Sequence, residues 1–226
     1  EEVWDGAKTT EKPAYMGAGT AEDPYMITNG AELYWAISNE NQGVYFKLAN
    51  DIVLNDFRVE IIESAGQKIP KVTDAYGNVR TDSVGAMTDD SGFNSWLLNE
   101  GSAKEFKGVL DGNNFIIRGL FYNMLKNSSN YQNTTAGLIP NANNAKVYNL
   151  GIEDSYLWID NDVEDGTAKQ GVSVAALFGR VNNKTSGITV ENSYIGQSVY
   201  IYGNVVSGFF AVGAATNGVT FKNIYS

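Results

Sequence analysis

The tetrapeptide VYNL at 147–150 decides the fold, because its pattern recurs twice toward the C-terminus, as VENS at 190–193 and FKNI at 221–224. Each copy places an apolar residue two positions before an asparagine. A second recurring pattern, with small residues followed by large apolar ones, precedes the copies as AGLIP at 136–140, AALFG at 175–179 and SGFFA at 207–211. Such segments cannot bury their apolar faces alone, but stacked in register about 4.8 Å apart they form parallel sheets around one core.

The repeat therefore predicts an all-β fold, a right-handed parallel β-helix (solenoid) with an N-terminal capping helix. Asn149, Asn192 and Asn223 are expected at equivalent corners of successive coils, with their side chains buried and bonded to backbone groups. The intervals between these asparagines are 43 and 31 residues. The longer interval holds two coils or one coil with a large loop, for which 160–166 is the obvious candidate. A β-sandwich with glycine-rich turns is the alternative fold, since it also has short strands at regular spacing.

The same alignment predicts which side chains fill the core. The small residues Ala136, Ala175 and Ser207 are expected where neighbouring coils crowd one another. The large residues expected to point inward are Leu138, Leu150, Leu177, Ile188, Val190, Phe209, Val219 and Phe221.

The first half of the chain is less regular. A capping residue, an acid in the first turn and an apolar face of Leu33, Ala36 and Ile37 predict a helix at about 30–38 that covers the N-terminal end of the stack. Residues 57–105 have weak periodicity and indicate a long excursion that holds a hairpin and loops. The predicted organisation is a single β-helix domain over 1–226, with the N-terminal cap and first coils at 1–56, the excursion at 57–105 and regular coils at 106–226. Because the repeat pattern runs to Ser226 without a second cap, we expect a C-terminal continuation, a neighbouring domain or pairing of the last coil with another chain.

Composition excludes several classes of function. The 226 residues include no Cys and no His, which excludes zinc-thiolate sites and His-dependent triads. A net charge of −10 makes nucleic acid a poor partner, because phosphate contacts need clustered Lys and Arg. No apolar run approaches the roughly 18 residues of a membrane-spanning helix, so no transmembrane segment is predicted. The lack of Cys also favours a secreted or cell-surface location.

Four motifs in a fixed order carry a resemblance to a known family. They are GTAEDPYMI at 19–27 with AEL at 31–33, YFKLANDIVL at 45–54, FKGVLDGNNFIIRGL at 106–120, and GLIP at 137–140 with ALFG at 176–179. In this order they resemble the GLUG-motif β-helix proteins of Gram-positive and gut bacteria, which also occur beside IgA-protease domains. The resemblance implies a modular surface protein and says little about activity. The chain departs from the pattern at Pro140, where the repeat usually has Gly, and at the long excursion.

Carboxylates are the residues that a carbohydrate-active enzyme on this scaffold would need. Asp111 lies in an Asp-Gly turn, and Glu153 and Asp154 follow a predicted strand. Turn formation and solvation explain these positions better than catalysis. We therefore predict no catalytic residues, and a polysaccharide lyase or glycoside hydrolase is the alternative function.

A calcium loop is a second candidate site. Asp160, Asp162 and Glu164 alternate like oxygen ligands of Ca²⁺, but the glycine comes one place late and the twelfth position is not Glu. A solvated loop is the better interpretation, and no other cofactor is predicted.

Aromatic side chains are the remaining candidates for ligand binding. Trp96 lies in the excursion without an amphipathic neighbourhood and is predicted to be exposed to a ligand. Trp158 is predicted to share one strand face with Tyr156, and Tyr200 and Tyr202 are further candidates for a carbohydrate-stacking platform. The predicted function is a non-enzymatic surface or secreted module for adhesion, with a glycan or a host surface protein as partner; an inert spacer is a third possibility.

Overall fold

The computed structural model describes residues 2–9, 11–12, 17–38, 42–96, 104–124, 135–159, 173–183, 187–203, 205–215 and 218–226. In these ranges the chain forms one helix, α1 (Gly30–Ser38), and 21 strands. The strands before the repeats are β1 (Tyr25–Ile27), β2 (Tyr45–Leu48), β3 (Ile52–Val53), β4 (Phe57–Ser64) and β5 (Gln67–Asp74). The remaining strands are β6 (Val109–Asp111), β7 (Ile116–Arg118), β8 (Phe121–Met124), β9 (Thr135–Ala136), β10 (Ile139–Ala142), β11 (Lys146–Tyr148), β12 (Gly151–Glu153), β13 (Ser155–Ile159), β14 (Ser173–Ala175), β15 (Phe178–Asn183), β16 (Ile188–Glu191), β17 (Tyr194–Ile195), β18 (Val199–Tyr202), β19 (Val205–Ser207), β20 (Phe210–Ala215) and β21 (Val219–Lys222). The all-β prediction is confirmed.

Five short sheets share one plan. Their strand orders are β1-β2-β6-β11-β16-β21, β3-β7-β12-β17, β8-β13-β18, β9-β14-β19 and β10-β15-β20. Every pairing in these five sheets is parallel. From β6 onward, each run of five consecutive strands contributes one strand to each sheet, so β6–β10, β11–β15 and β16–β20 are three structural repeats. The alternative prediction of a β-sandwich, which would have antiparallel sheets, is therefore wrong.

The register follows the sequence repeat closely. Val147 pairs with Val190, and Val190 pairs with Phe221. Ile139 pairs with Phe178 in the same way. The sequence alignment is off by one residue at β9, where Ala136 pairs with Val174 rather than with Ala175. The 43-residue interval holds one repeat, and its additional length lies between β13 and β14.

The main hydrophobic core lies between the five sheets. Leu138, Leu150, Leu177, Ile188, Val190 and Phe209 are buried, as predicted. Val219 and Phe221 are only partly buried, although they pack against the core. They lie on β21, the last strand of its sheet, and no described strand covers its outer edge.

Two hydrogen bonds of side chains to backbone amides cap the start of helix α1. The Glu32 amide donates to Asn29 Oδ1 at 3.0 Å, and Glu32 Oε2 accepts from the Thr28 amide at 2.7 Å. The predicted apolar face is buried. Trp35, on the same helix, packs edge-on against Tyr25 and Phe46, with ring centroids 5.8 and 6.1 Å apart. The helix therefore lies against β1 and β2, the first strands of the six-stranded sheet.

The excursion contains the predicted hairpin. Strands β4 and β5 pair antiparallel, with Phe57 opposite Asp74 and Ser64 opposite Gln67. The two turn residues, Ala65 and Gly66, have φ of 50° and 78°. Positive φ at both central positions gives the turn a twist that matches the flanking strands.

Asp74 organises the turn that follows the hairpin. Burial alone would raise the pKa of its carboxyl group, but hydrogen bonds from Asn78, Arg80 and Tyr76 outweigh burial and lower the pKa to about 2. Arg80 Nη1 lies 2.9 Å from Asp74 Oδ2, and Arg80 Nη2 lies 2.9 Å from Asp89 Oδ2. One guanidinium thus joins two turns of the excursion.

A buried asparagine joins both ends of the excursion to the repeats. Asn55 Nδ2 donates to Gly119 O at 2.7 Å and to Asn94 O at 3.0 Å, and Asn55 Oδ1 accepts from the Asn94 amide at 2.6 Å. Gly119 has φ of 77°, and a Cβ there would lie 2.1 Å from Asn55 O. The close contact explains why this position is glycine.

Candidate functional site

The sheet β8-β13-β18 carries aromatic side chains on its outer face. Side chains alternate along a strand, so Tyr122, Leu157 and Ile201 pack on the core side while their neighbours point away. Pairing of the three strands sets the outward residues in two rows, Phe121–Tyr156–Tyr200 and Asn123–Trp158–Tyr202. We call these six residues the aromatic face.

Stacking links the two rows. Trp158 and Tyr202 have ring centroids 4.0 Å apart and an interplanar angle of 16°. Tyr156 stacks against both Trp158 and Tyr200, at 6.1 and 6.3 Å. The prediction that Tyr156 and Trp158 share a face is confirmed, and the strand pairing extends that face to the tyrosines of β18.

The excursion covers the part of the aromatic face that lies toward the N-terminus. Phe57 packs edge-on against Phe121 at 6.1 Å. The Tyr156 hydroxyl accepts from the Met87 amide and donates to Gly85 O, both at 3.1 Å. Tyr156 is consequently fully buried.

Exposure rises along the face toward the third repeat. Trp158 is 8% exposed and Tyr202 is 42% exposed. Burial, and then the neighbouring Tyr202, raise the pKa of Tyr200 above its ordinary value. The accessible end of the face thus presents Tyr202 in van der Waals contact with Trp158, and Tyr200 beside them.

A groove of about 420 Å³ borders this accessible end. It lies between the hairpin and the third repeat, and residues that line it include Ile61, Lys68, Val199, Tyr200, Ile201 and Val206. We call it the edge groove. Its hairpin wall was missed from the sequence, although the alternating side chains of β4 and β5 were a usable signal. In the described part of the chain, Lys68 makes no ion pair.

Trp96 does not belong to this surface, and the prediction of an exposed Trp96 is wrong. Its side chain has no exposed area, and its Nε1 donates to Leu138 O at 2.9 Å. The ring packs edge-on against Trp4 and Tyr34, at 5.1 and 5.6 Å. The excursion returns to the core at this point, and the carbonyl of Leu138 accepts the hydrogen bond of the indole N–H.

The three asparagines form one hydrogen-bonded row, which we call the asparagine ladder. Asn223 Nδ2 donates to Asn192 Oδ1 at 2.9 Å, Asn192 Nδ2 to Asn149 Oδ1 at 3.2 Å, and Asn149 Nδ2 to Asp111 Oδ1 at 2.9 Å. The asparagines have φ between 50° and 52°. The predicted burial and backbone bonding are wrong: Asn192 and Asn223 are exposed and Asn149 is half-buried. Left-handed backbone turns the side chains along the outside of the corner, where they bond to one another.

The carboxylates considered for catalysis make structural contacts. Asp154 accepts from Arg58 Nη1 at 2.8 Å and from the Val59 amide at 3.0 Å, which attaches the hairpin to the second repeat. Glu153 Oε1 accepts from the Tyr194 hydroxyl at 2.5 Å. Burial, and then this bond, raise the pKa of Tyr194 to about 12.

The calcium candidates Asp160, Asp162 and Glu164 lie outside the described residues. Within the described ranges, no three acidic side chains are grouped so that they could hold a metal ion.

The only helix of the described chain is too short to cross a membrane. Comparison with protein-family models, curated proteins and solved structures gives no significant match for this chain. The resemblance to GLUG-motif proteins therefore stays a prediction.

Proposed function

We propose that the chain is a right-handed parallel β-helix that serves as a non-enzymatic binding module of a secreted or cell-surface protein, and that it contacts glycans through the accessible end of the aromatic face. The five parallel sheets support the β-helix, because successive strands of the chain join one sheet after another. The excursion is, in this proposal, an insertion between the first coils and the regular ones within a single domain.

The observation that carries glycan binding is the stack of Trp158 on Tyr202, 4.0 Å apart, next to open solvent. An aromatic ring carries negative partial charge on its face, and the C–H groups on one side of a pyranose carry positive partial charge. A sugar therefore stacks on such a ring while its hydroxyl groups stay hydrated at the rim. Trp158 fixes the plane of the Tyr202 ring, so little side-chain entropy is lost on binding.

Adhesion is favoured over catalysis by the roles of the nearby charged groups. Asp154 is paired with Arg58 of the hairpin strand β4. Glu153 is bonded to Tyr194. A glycoside hydrolase needs two carboxyl groups facing one bound sugar, and these carboxylates are instead engaged in holding the fold together.

A glycan array followed by calorimetry tests the proposal. The wild-type chain is expected to bind a subset of neutral glycans, and Tyr202→Ala to weaken binding about tenfold, the effect expected for one stacking ring. Tyr76→Ala is the matched control, because Tyr76 is 90% exposed on a turn of the excursion and stacks on no other ring among the described residues. Unchanged binding by Tyr202→Ala, or an equal loss in both variants, contradicts the proposed site.

A further inference from the structure

Tyr194 lies flat on the outer face of the sheet β3-β7-β12-β17. It pairs with Gly151 of β12, and its neighbour Ile195 packs on the core side. A Cβ on Gly151 would lie 2.6 Å from Cζ of Tyr194, so the tyrosine ring occupies the space above this glycine. The other side of Tyr194 bridges to Tyr225, so the partial exposure of the ring belongs to the sheet face and not to a strand edge. One face of the ring rests on the sheet, and the other faces outward.

Glu153 holds the ring in this position. The Tyr194 hydroxyl donates to Glu153 Oε1 at 2.5 Å. The Glu153 side chain leans in the opposite direction, over Gly196, where an added Cβ would lie 3.1 Å from Glu153 Cγ. Two glycines in adjacent strands therefore leave room for the tyrosine and the glutamate to lie against the sheet while they are bonded to each other. A ring that is fixed before a ligand arrives loses little side-chain entropy on binding.

The surroundings of the ring carry negative charge. Arg118 is the only Lys or Arg on the four strands of this sheet, and Asp56 Oδ1 lies 3.1 Å from its Nη1. Glu153 and Asp51 form no ion pair within the described ranges. Burial, the bond to Glu153, and the charges of Glu153 and Asp51 raise the pKa of Tyr194 to about 12, so both carboxylates lie near the hydroxyl. Negative charge beside an aromatic ring adds to the attraction of its face for a cation.

We propose that Tyr194 binds an amino sugar whose amino group is free and protonated. The pyranose stacks on the outward face of the ring, and its ammonium group lies on the side of Glu153 and Asp51, where its charge complements the two carboxylates. A sugar suits this open, flat ring better than a lysine side chain, because proteins that select an isolated cationic group enclose it in a cage of several rings. The inference does not depend on the glycan site at Tyr202, since the two rings lie on different sheets.

Titration of the full chain with glucosamine and with N-acetylglucosamine, followed by amide chemical shifts in NMR, tests this proposal. The two sugars share one ring and differ in the charge of one substituent. Glucosamine is expected to shift the amide signals of Tyr194 and Gly151 to saturation, and N-acetylglucosamine to bind about fivefold more weakly, because it lacks the cation. Glu153→Gln keeps the shape of the side chain and is expected to weaken glucosamine binding about threefold through the lost charge. Glu63→Gln makes the same change at an exposed hairpin residue and is expected to have no effect.

The location of the shifts and a third ligand complete the test. No saturable shift at Tyr194, equal affinity for the two sugars, or equal affinity of the two glutamine variants overturns the proposal. So does tighter binding of Nα-acetyl-lysine amide than of glucosamine, because a protein lysine would then be the better ligand. Glucosamine shifts at Tyr194 that persist in Tyr202→Ala support a separate site. Shifts confined to Tyr200 and Tyr202 would instead assign the amino sugar to the aromatic face and refute a site at Tyr194.

Discussion

Replacement of Asn192 tests whether the asparagine ladder stabilises the fold through its side chains, its backbone or both. Asn192 occupies the middle of the ladder, so Asn192→Ala removes a donor bond of 3.2 Å to Asn149 and an acceptor bond of 2.9 Å from Asn223. Two bonds at an exposed position contribute together about 1–2 kcal/mol. The backbone adds a second effect, because Asn192 has φ of 50°. Alanine in this left-handed region costs a further 1–2 kcal/mol or so.

We therefore expect Asn192→Ala to lower the free energy of unfolding by about 2–4 kcal/mol. Asn192→Gly loses the same two side-chain bonds but tolerates positive φ, so it is expected to lose about 1 kcal/mol less than alanine despite its greater freedom in the unfolded chain. Urea unfolding followed by far-ultraviolet circular dichroism measures both losses.

Thr220→Ala is the control for this comparison, because Thr220 is exposed on β21 and lies outside the ladder. It is expected to change stability by less than about 0.5 kcal/mol. Equal losses for alanine and glycine at position 192 would show that the left-handed backbone has no energetic role. Losses as small as the control would show that the ladder contributes nothing measurable.

Three further predictions concern the core, the cover of the aromatic face and acid stability. Leu177→Ala is expected to lower the free energy of unfolding by about 2–5 kcal/mol through lost burial and a cavity, and a loss below about 1 kcal/mol in urea unfolding would place Leu177 outside the core. Tyr156→Phe leaves the Met87 amide without its acceptor, so we expect a loss of about 1–3 kcal/mol and faster limited proteolysis near Gly85, whereas wild-type cleavage rates would refute the role of this hydroxyl. The pKa of Asp74 is lowered to about 2. The ionised carboxylate therefore contributes fully to the free energy of unfolding above the ordinary carboxyl pKa of about 4, and this contribution is lost as the pH falls toward 2. Urea midpoints between these pH values should fall more steeply for wild type than for Asp74→Asn, and identical pH profiles would contradict this.

The parallel stacking was predictable because it rests on local patterns that recur. VYNL at 147–150 and its two later copies align in the structure residue by residue, since an inward apolar residue and a left-handed corner are required once in every repeat. Asparagine tolerates that corner conformation better than most residues, which is why its recurrence marked the repeat boundaries.

The position of Trp96 was not predictable from its neighbours in sequence. Its burial depends on Trp4 and Tyr34, which come from the first part of the chain, and on the carbonyl of Leu138. None of these contacts leaves a periodic signal around position 96. The edge groove was missed for a different reason: the alternating side chains of β4 and β5 were a signal for one wall, but the groove forms only where the hairpin meets the third repeat.

The tryptophans of this chain divide into two groups that report on different regions. Trp4, Trp35 and Trp96 lie with α1 and the first strands, whereas Trp158 lies on the aromatic face in contact with Tyr202. Fluorescence of a Trp158→Phe variant therefore follows the N-terminal region alone, and the difference from wild type isolates the signal of the face. The chain thus carries two intrinsic optical probes, which distinguish fraying at one end from concerted loss of the whole stack without any attached dye.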